Sequence, residues 1–355
     1  METNIVIVGL GLLGSSIASA CKEKNLPYSV IGVSSPSTLD KALKKNIIHN
    51  SYGYDDFSWV AHADLIILCT PISHIMQYLP AIAKHQKKFK PNLLVTDVGS
   101  TKQEIHALAN SCMPKFFIGS HPMAGSEKKG IQAADGTLFE STLWIICHHQ
   151  PVPILENFVT EIGAHATYLE PKVHDLAVAH VSHLPQLLST ALASSFKKES
   201  LEYLDFAGPG FRDMSRLAES SYEMWEPIFK TNYISLKSAI SQFSSEWEKL
   251  KDKLEQDQDI RQFFNDGNET RSRVHNPSPE ISGLFQILIK VADQPGMINA
   301  IIAPLTESNL DIRDIELMKN REGAGGTLRL AFDHLDKAKQ AIKLLNDLKF
   351  EAHLR

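Results

Sequence analysis

The sequence predicts an α/β doubly wound domain, then an all-α helical domain, then a small α+β domain of ferredoxin-like pattern. Three observations predict this order. Through about residue 150, apolar β-rich runs alternate with amphipathic stretches. From about Lys172 to Glu255, apolar residues recur at helical spacing without strand signals. Beyond a polar stretch, the chain from residue 282 onward reads β-α-β-β-α-β. At 355 residues the chain suits two or three domains, each with its own core. The expected boundaries are 1–170, 171–265, a linker over 266–281, and 282–355.

The first element is an apolar strand, Ile5-Val-Ile-Val8, running into Gly9-Leu-Gly11-Leu-Leu-Gly14 and then a helical pattern. In that context Gly9 permits a tight turn, Gly11 lets backbone approach a pyrophosphate, and Gly14 allows close helix–strand packing. The helix amides beginning at Leu12 and Leu13 would face the phosphates. This is the phosphate turn of a Rossmann domain. A secretion signal is the alternative for the same stretch, because the apolar run ends at Ala18-Ser-Ala20-Cys21; Met1-Glu-Thr-Asn4 lacks the basic start that a signal has.

Further strands are expected at Ser29–Val33, Leu65–Cys69, Leu93–Asp97, Phe116–Gly119 and Leu143–Cys147. Helices are expected at Pro36–Lys45, Ile72–Lys88 and Lys102–Ala109. The second strand ends at Ser34 and Ser35, where a carboxylate would normally hold the ribose hydroxyls of NAD. Serines there, with Ser37 and Lys41 near, could equally bond a 2′-phosphate, so NAD and NADP both stay open. Thr70, Pro71 and Asp97, at later strand ends, are the other expected cofactor contacts.

Two later motifs place chemistry at the same edge of the sheet. One is Thr96-Asp97-Val-Gly-Ser100-Thr-Lys102; the other is Gly119-Ser-His121-Pro122-Met-Ala-Gly125-Ser126-Glu127. Strand ends in a doubly wound sheet face the ligand crevice. His121, on a loop stiffened by Pro122, can accept a substrate hydroxyl proton near neutral pH.

In the helical region, His174-Asp175 is followed by His180-Val-Ser182-His183-Leu-Pro-Gln186, with His180, His183 and Gln186 one helical turn apart. No ligand set at metal-site spacing surrounds them, so no metal is expected. Ala207-Gly-Pro-Gly210-Phe-Arg212-Asp213-Met-Ser-Arg216 then leads to Met224-Trp225. From spacing alone, Arg216 either holds a substrate carboxylate or pairs with Asp213 on the surface.

Asp257–Glu280 is polar, with Asn265-Asp-Gly-Asn and Asn276-Pro-Ser-Pro, and reads as linker. The C-terminal pattern has strands at Leu284–Val291, Leu310–Met318, Gly325–Asp333 and Phe350–Leu354, and helices at Gly296–Ser308 and Leu335–Asp347.

The net charge of −5, with the two signs interspersed, disfavours nucleic acid as a partner, and no run is long and apolar enough to suggest a membrane span. Four cysteines without a CxxC pair fit reduced thiols and a cytoplasmic location.

Together GLGLLG, TDVGSTK, GSHPMAGSEKKG, VSHLP and GPGFRDMSRLA…MW resemble prephenate dehydrogenase of tyrosine biosynthesis, over about residues 1–265. The tail, with Asp293-Gln-Pro295-Gly296 after its first strand, resembles an ACT domain. The resemblance implies hydride transfer from C4 of prephenate to NAD or NADP with loss of the ring carboxylate, giving 4-hydroxyphenylpyruvate. It implies that His121 accepts the C4 hydroxyl proton, that Ser100 orients it, and that Arg216 binds a substrate carboxylate. Ser126 and Glu127 match the loop over the pocket. Ser182, His183 and Gln186 match its helical wall, although many members carry histidine where this chain has Gln186. Gly210, Arg212, Asp213 and Trp225 are carried over as substrate-side residues. The resemblance further implies a homodimer and L-tyrosine as effector at Asp293, Pro295, Gly296, Met297 and Asn309. Arogenate dehydrogenase shares nearly all these motifs, and a non-catalytic nucleotide and amino-acid sensor is the reading from another class.

Overall fold

The computed structural model describes residues 3–125, 128–274, 284–292, 294–319 and 326–354. Asp293, Ser126 and Glu127 therefore lie outside the described residues. The chain divides into two compact units, Met1–Phe263 and Phe264–Arg355.

The first unit opens with a parallel sheet. Strands β1 (Thr3–Val8), β2 (Tyr28–Val33), β3 (Asn50–Tyr52), β4 (Leu65–Leu68) and β5 (Leu94–Asp97) lie in the order β3-β2-β1-β4-β5. Helices α1 (Leu12–Glu23), α2 (Pro36–Lys44), α3 (Ile72–Ala83) and α4 (Gln103–Cys112) alternate with them. The unbroken β-branched run of β1 is explained by burial on both faces: Ile5 and Ile7 join one core cluster, Val6 and Val8 the other. α3 is shorter than the periodicity suggests, ending at Ala83 before a separate turn at Gln86–Lys88.

The strand expected at Phe116–Gly119 is displaced. That stretch makes a single parallel bridge, Phe117 to Val95, and the strand proper is β6, Ser120–Pro122. β6 pairs antiparallel with β7 (Leu143–Ile146), which pairs parallel with β8 (His165–Tyr168). The ladder thus forms one step later, on the residues that carry His121. Helix α5 (Pro153–Glu161) and β8 were not anticipated.

The helical part begins with α6 (Pro171–Val178), a π-helical turn at Ala179–His183, and α7 (Leu184–Ser194). After a 3₁₀ segment come α8 (Pro209–Ser215), a 3₁₀ turn at Arg216–Glu219, α9 (Tyr222–Thr231) and α10 (Tyr233–Glu255). This part exposes large apolar side chains: Phe206, Ile234, Val181, Met214 and Tyr222 are all at least 65% exposed.

The linker expected over 266–281 begins later than the composition implies. Helix α11 covers Arg261–Ser272, through Asn265-Asp-Gly-Asn. Asp259 accepts the Arg261 amide at 2.8 Å, and Arg273 pairs with Glu269 one turn back, so local polar contacts hold a helix that turn-forming residues alone disfavour.

The second unit is an antiparallel sheet of β9 (Phe285–Val291), β10 (Asp314–Lys319), β11 (Gly326–Phe332) and β12 (Ala352–Leu354) in the order β10-β11-β9-β12. Helices α12 (Met297–Glu307) and α13 (Leu335–Asp347) complete the βαββαβ pattern. Its core is Ile287, Ile289, Leu328, Leu330, Ile301 and Leu345. Among the described residues no helix is long and apolar enough to cross a membrane.

Candidate active site

The phosphate turn sits between β1 and α1. Gly9 has φ +97°, and a Cβ on Gly14 would lie 2.1 Å from the Gly9 carbonyl oxygen, so side chains are excluded at both. Gly11 is different: a Cβ there would meet nothing within 4 Å. Its space opens outward, as close approach by a dinucleotide pyrophosphate requires. Among the described residues no side chain caps the helix at Leu12, so its N-terminal amides are open to an external anion. Thr70 packs on the turn, and its hydroxyl is buried with no partner among the described residues. Pro71 leads directly into α3. Ser34 is buried, 3.4 Å from the Tyr54 hydroxyl, and Ser35 bonds Thr38. These residues fit a dinucleotide.

Asp97 does not belong to that set. Its side chain is wholly buried, paired with the equally buried Lys102 ammonium and accepting the Gly99 amide at 2.8 Å. Burial pushes this carboxyl up while Lys102 pulls it down. Lys102 also donates to the Ser120 carbonyl at 2.7 Å, so the pair fixes the residue before His121, while Asp97 Oδ1 is buried with no partner among the described residues.

Beyond this edge lies a cavity of about 610 Å³. Ser100, His121 and Gly125 line it from the sheet side, and Ser182, His183, Gln186, Arg216, Glu219 and Trp225 from the helices. The π turn sets Ser182 and His183 into the wall, while His180 does not line the cavity.

A hydrogen-bonded chain runs behind His121. Its Nδ1 is 2.9 Å from His174 Nε2, and His174 Nδ1 is 2.8 Å from Asp175 Oδ1. The Asp175 carboxylate also accepts the backbone amides of Lys102 (2.7 Å) and Gln103 (2.9 Å), capping α4 from α6. Burial holds His121 well below the ordinary histidine range, helped by its charged and histidine neighbours, and lowers His174 against the Asp175 hydrogen bond. With both rings neutral, one arrangement of protons is consistent. Asp175 can only accept, so His174 donates from Nδ1 and accepts at Nε2. His121 then donates from Nδ1, leaving its Nε2 as a bare acceptor.

His183 differs from His121. Its Nδ1 is 3.3 Å from Asn232 Nδ2, which also donates to the Asp175 carbonyl at 2.7 Å. The amide is thereby oriented as a donor, so neutral His183 accepts at Nδ1 and carries its proton on Nε2. Burial lowers His183 to about 4.

The remaining expectations divide. Arg216 lines the cavity and makes no ion pair with Asp213 or any other described residue, so the surface pair does not form. Gly210, Arg212 and Asp213 do not line it; the Arg212 guanidinium donates to the Ala207 carbonyl, just ahead of its own helix. Ser100 lines the cavity but does not hold His121, whose Nδ1 belongs to His174. Sequence reasoning missed the roles of Asp175, Lys102, Asn232 and His106. His106 accepts the Gly119 amide at 3.1 Å, and a Cβ on Gly119 would fall 2.4 Å from that ring. The glycine before Ser120-His121 was the available signal. Among the described residues no group of histidine, cysteine and carboxylate side chains could hold a metal.

Residues 17–168 match the family model described as prephenate dehydrogenase, nucleotide-binding domain, and residues 170–266 match prephenate dehydrogenase, dimerization domain. The chain is 32% identical to a prephenate dehydrogenase of Bacillus subtilis, over 96% of this chain and 95% of that one. It is 31% identical to a prephenate dehydrogenase of Lactococcus lactis, over 96% and 97%. Among solved structures, Synechocystis arogenate dehydrogenase is similar with a TM-score of 0.67 and 28% identity, covering 77% of this chain and all of that one.

Proposed function

The chain belongs to the prephenate dehydrogenase family, and on that premise we propose that it oxidatively decarboxylates prephenate to 4-hydroxyphenylpyruvate. The observation that carries this reading is the neutral His121 with Nδ1 committed to His174 and Nε2 left as an acceptor in the cavity wall. A nicotinamide dinucleotide, when bound at the Gly9–Gly14 turn, supplies the hydride acceptor. The substrate's C4 hydroxyl donates to His121 Nε2. As the hydride leaves C4, its oxygen becomes carbonyl-like and the proton passes to His121, whose new charge is stabilised through His174 by Asp175. Loss of the ring carboxylate as carbon dioxide returns the electron pair to the ring and completes the aromatic product. Arg216 holds a substrate carboxylate, and His183 Nε2–H adds a donor to the wall.

The absence of a carboxylate at Ser34 and Ser35 supports either NAD or NADP as cofactor. The exposed apolar side chains of the helical part support a homodimer through that part, and four free cysteines support a cytoplasmic setting. The βαββαβ unit supports the ACT reading, with L-tyrosine as effector. There Gly296, at φ +89°, opens α12 beside Pro295 and Met297, and Asn309, at φ 53°, follows that helix. The test is the appearance of reduced nicotinamide with prephenate, crossed against NAD and NADP, with and without millimolar tyrosine. Turnover with either cofactor is expected, and slower turnover with tyrosine. No turnover with either would overturn the activity, and indifference to tyrosine the regulation.

A further inference from the structure

The geometry points to Glu219 and Gln186 as residues that decide which substrate side chain this cavity accepts: they favour an α-ammonium group over an α-keto group. On that inference, which rests on the function proposed above, the enzyme takes the aminated cyclohexadienol, arogenate, beside prephenate. Arg216 and Glu219 begin and end one 3₁₀ turn, and both line the cavity. They carry opposite charges, and no ion pair joins either of them to another described residue.

The turn between them is pinned at its middle. Gln186 Nε2 donates to the Leu217 carbonyl at 2.8 Å, and the Ala218 amide donates to Ser189 Oγ at 3.1 Å. Gln186 and Ser189 sit one turn apart on α7, so the backbone under both charges is fixed by one helix face. What the turn presents is one cation and one anion three residues apart. That is the complement of an amino-acid zwitterion, with Arg216 on the carboxylate and Glu219 on the ammonium.

Gln186 gives a second, independent reason. Its Nε2 also lies 3.3 Å from Thr190 Oγ1, whose own proton goes to the Gln186 carbonyl at 2.9 Å. Both neighbours of the NH₂ are therefore acceptors, and the amide cannot be reversed. Its Oε1 is left buried with no donor among the described residues, in a side chain only 3% exposed that lines the cavity. A buried acceptor without a donor is unfavourable. An α-keto acid brings acceptors only and relieves neither Glu219 nor Gln186. An α-amino acid brings three N–H donors and a positive charge.

The experiment is steady-state kcat/KM on prephenate and arogenate for the full chain, its Glu219→Gln and Glu219→Lys variants, and Gln186→Met. The reading is the arogenate-to-prephenate ratio. Because Glu219 is exposed, its effect is discounted for solvent: the ratio should fall about threefold in Glu219→Gln and roughly tenfold in Glu219→Lys. Gln186→Met should lower it as well, whereas loosening of the turn alone would weaken both substrates equally and would strike Gln186 from the assignment. A ratio unmoved within about twofold by both Glu219 variants (under ~0.4 kcal/mol) would overturn the inference, as would wild-type enzyme that turns over prephenate but not arogenate. Wild-type enzyme inactive on both would instead overturn the function on which it rests.

Discussion

The two walls of the cavity are held in opposite ways. On the His121 side, every supporting group is buried: Asp175, His174, Lys102 and Asp97 have no solvent exposure, and each is bonded to the next element. On the Arg216 side, the charged side chains stand in solvent and only the backbone beneath them is tied down, by Gln186 and Ser189. The difference follows the chemistry proposed above for each wall. A proton acceptor must keep one tautomer through the reaction, which needs a dry network with no spare donors. A carboxylate holder must admit a charged group from water, which needs a fixed base and a mobile tip.

The strongest way to break this comparison is at His121. His121→Asn should fold, because His174 Nε2 can still receive an amide N–H, yet lose about 10²–10⁴ in kcat, the usual worth of a positioned acid–base group. Wild-type kcat/KM should fall on the acid side at a pH below the ordinary histidine value of 6.5, since burial lowers His121 and protonation removes its acceptor. That acid limb should vanish in the variant. A kcat within about threefold of wild type (~0.65 kcal/mol) would take His121 out of the mechanism.

Asp175→Asn tests whether the network matters or only its tip. Asp175 now accepts three N–H groups, from Lys102, Gln103 and His174. An asparagine has one carbonyl oxygen and an NH₂, so in either orientation at least one of those donors faces another donor. If the NH₂ faces His174 Nδ1, the protons shift along the chain and His121 Nε2 ceases to be the acceptor. If it faces the Gln103 amide, the tautomer survives but the anion that stabilises the charged relay is gone. We expect about a 10–10³-fold loss in kcat, below that of His121→Asn. The melting temperature should fall too, because α4 loses its cap. Unchanged kcat with lower stability would make Asp175 purely structural.

The same contrast explains what could be read from the sequence. The cavity-lining places of His121 and Arg216 and the Gly9–Gly14 turn were legible because each lies in a local motif with its own spacing. The relay was not, because it joins residues 53 apart, and His174-Asp175 in isolation suggests only a polar pair on a helix. Asp97 misled for a related reason. Its strand-end position says that it faces the crevice, but only the fold shows Lys102 turning back to occupy it. The helix over Arg261–Ser272 was hidden by turn-forming residues whose penalty is offset by contacts that composition does not show.

The smallest expected effect is at the exposed wall, and it sharpens the comparison from the other side. Arg216 lines the cavity without an ion pair to any described residue, so replacing it leaves no buried partner charge behind and should not unfold the turn, which Gln186 and Ser189 hold through Leu217 and Ala218. A charge-assisted bond from guanidinium to carboxylate is strong when dry and weaker where water competes. Arg216→Ala should therefore lower kcat/KM roughly tenfold, chiefly by raising KM, with kcat within about threefold of wild type. The melting temperature should stay unchanged, unlike that of Asp175→Asn. Adding guanidinium to the variant should restore part of the lost kcat/KM at a concentration too low to unfold it. A drop confined to kcat would mean that Arg216 acts on the transition state and shares the work of the buried wall. An unchanged KM with unchanged kcat would return it to the surface and leave the substrate carboxylate to another donor, for which the Trp225 indole N–H, buried in the same wall with no partner among the described residues, is the first to test.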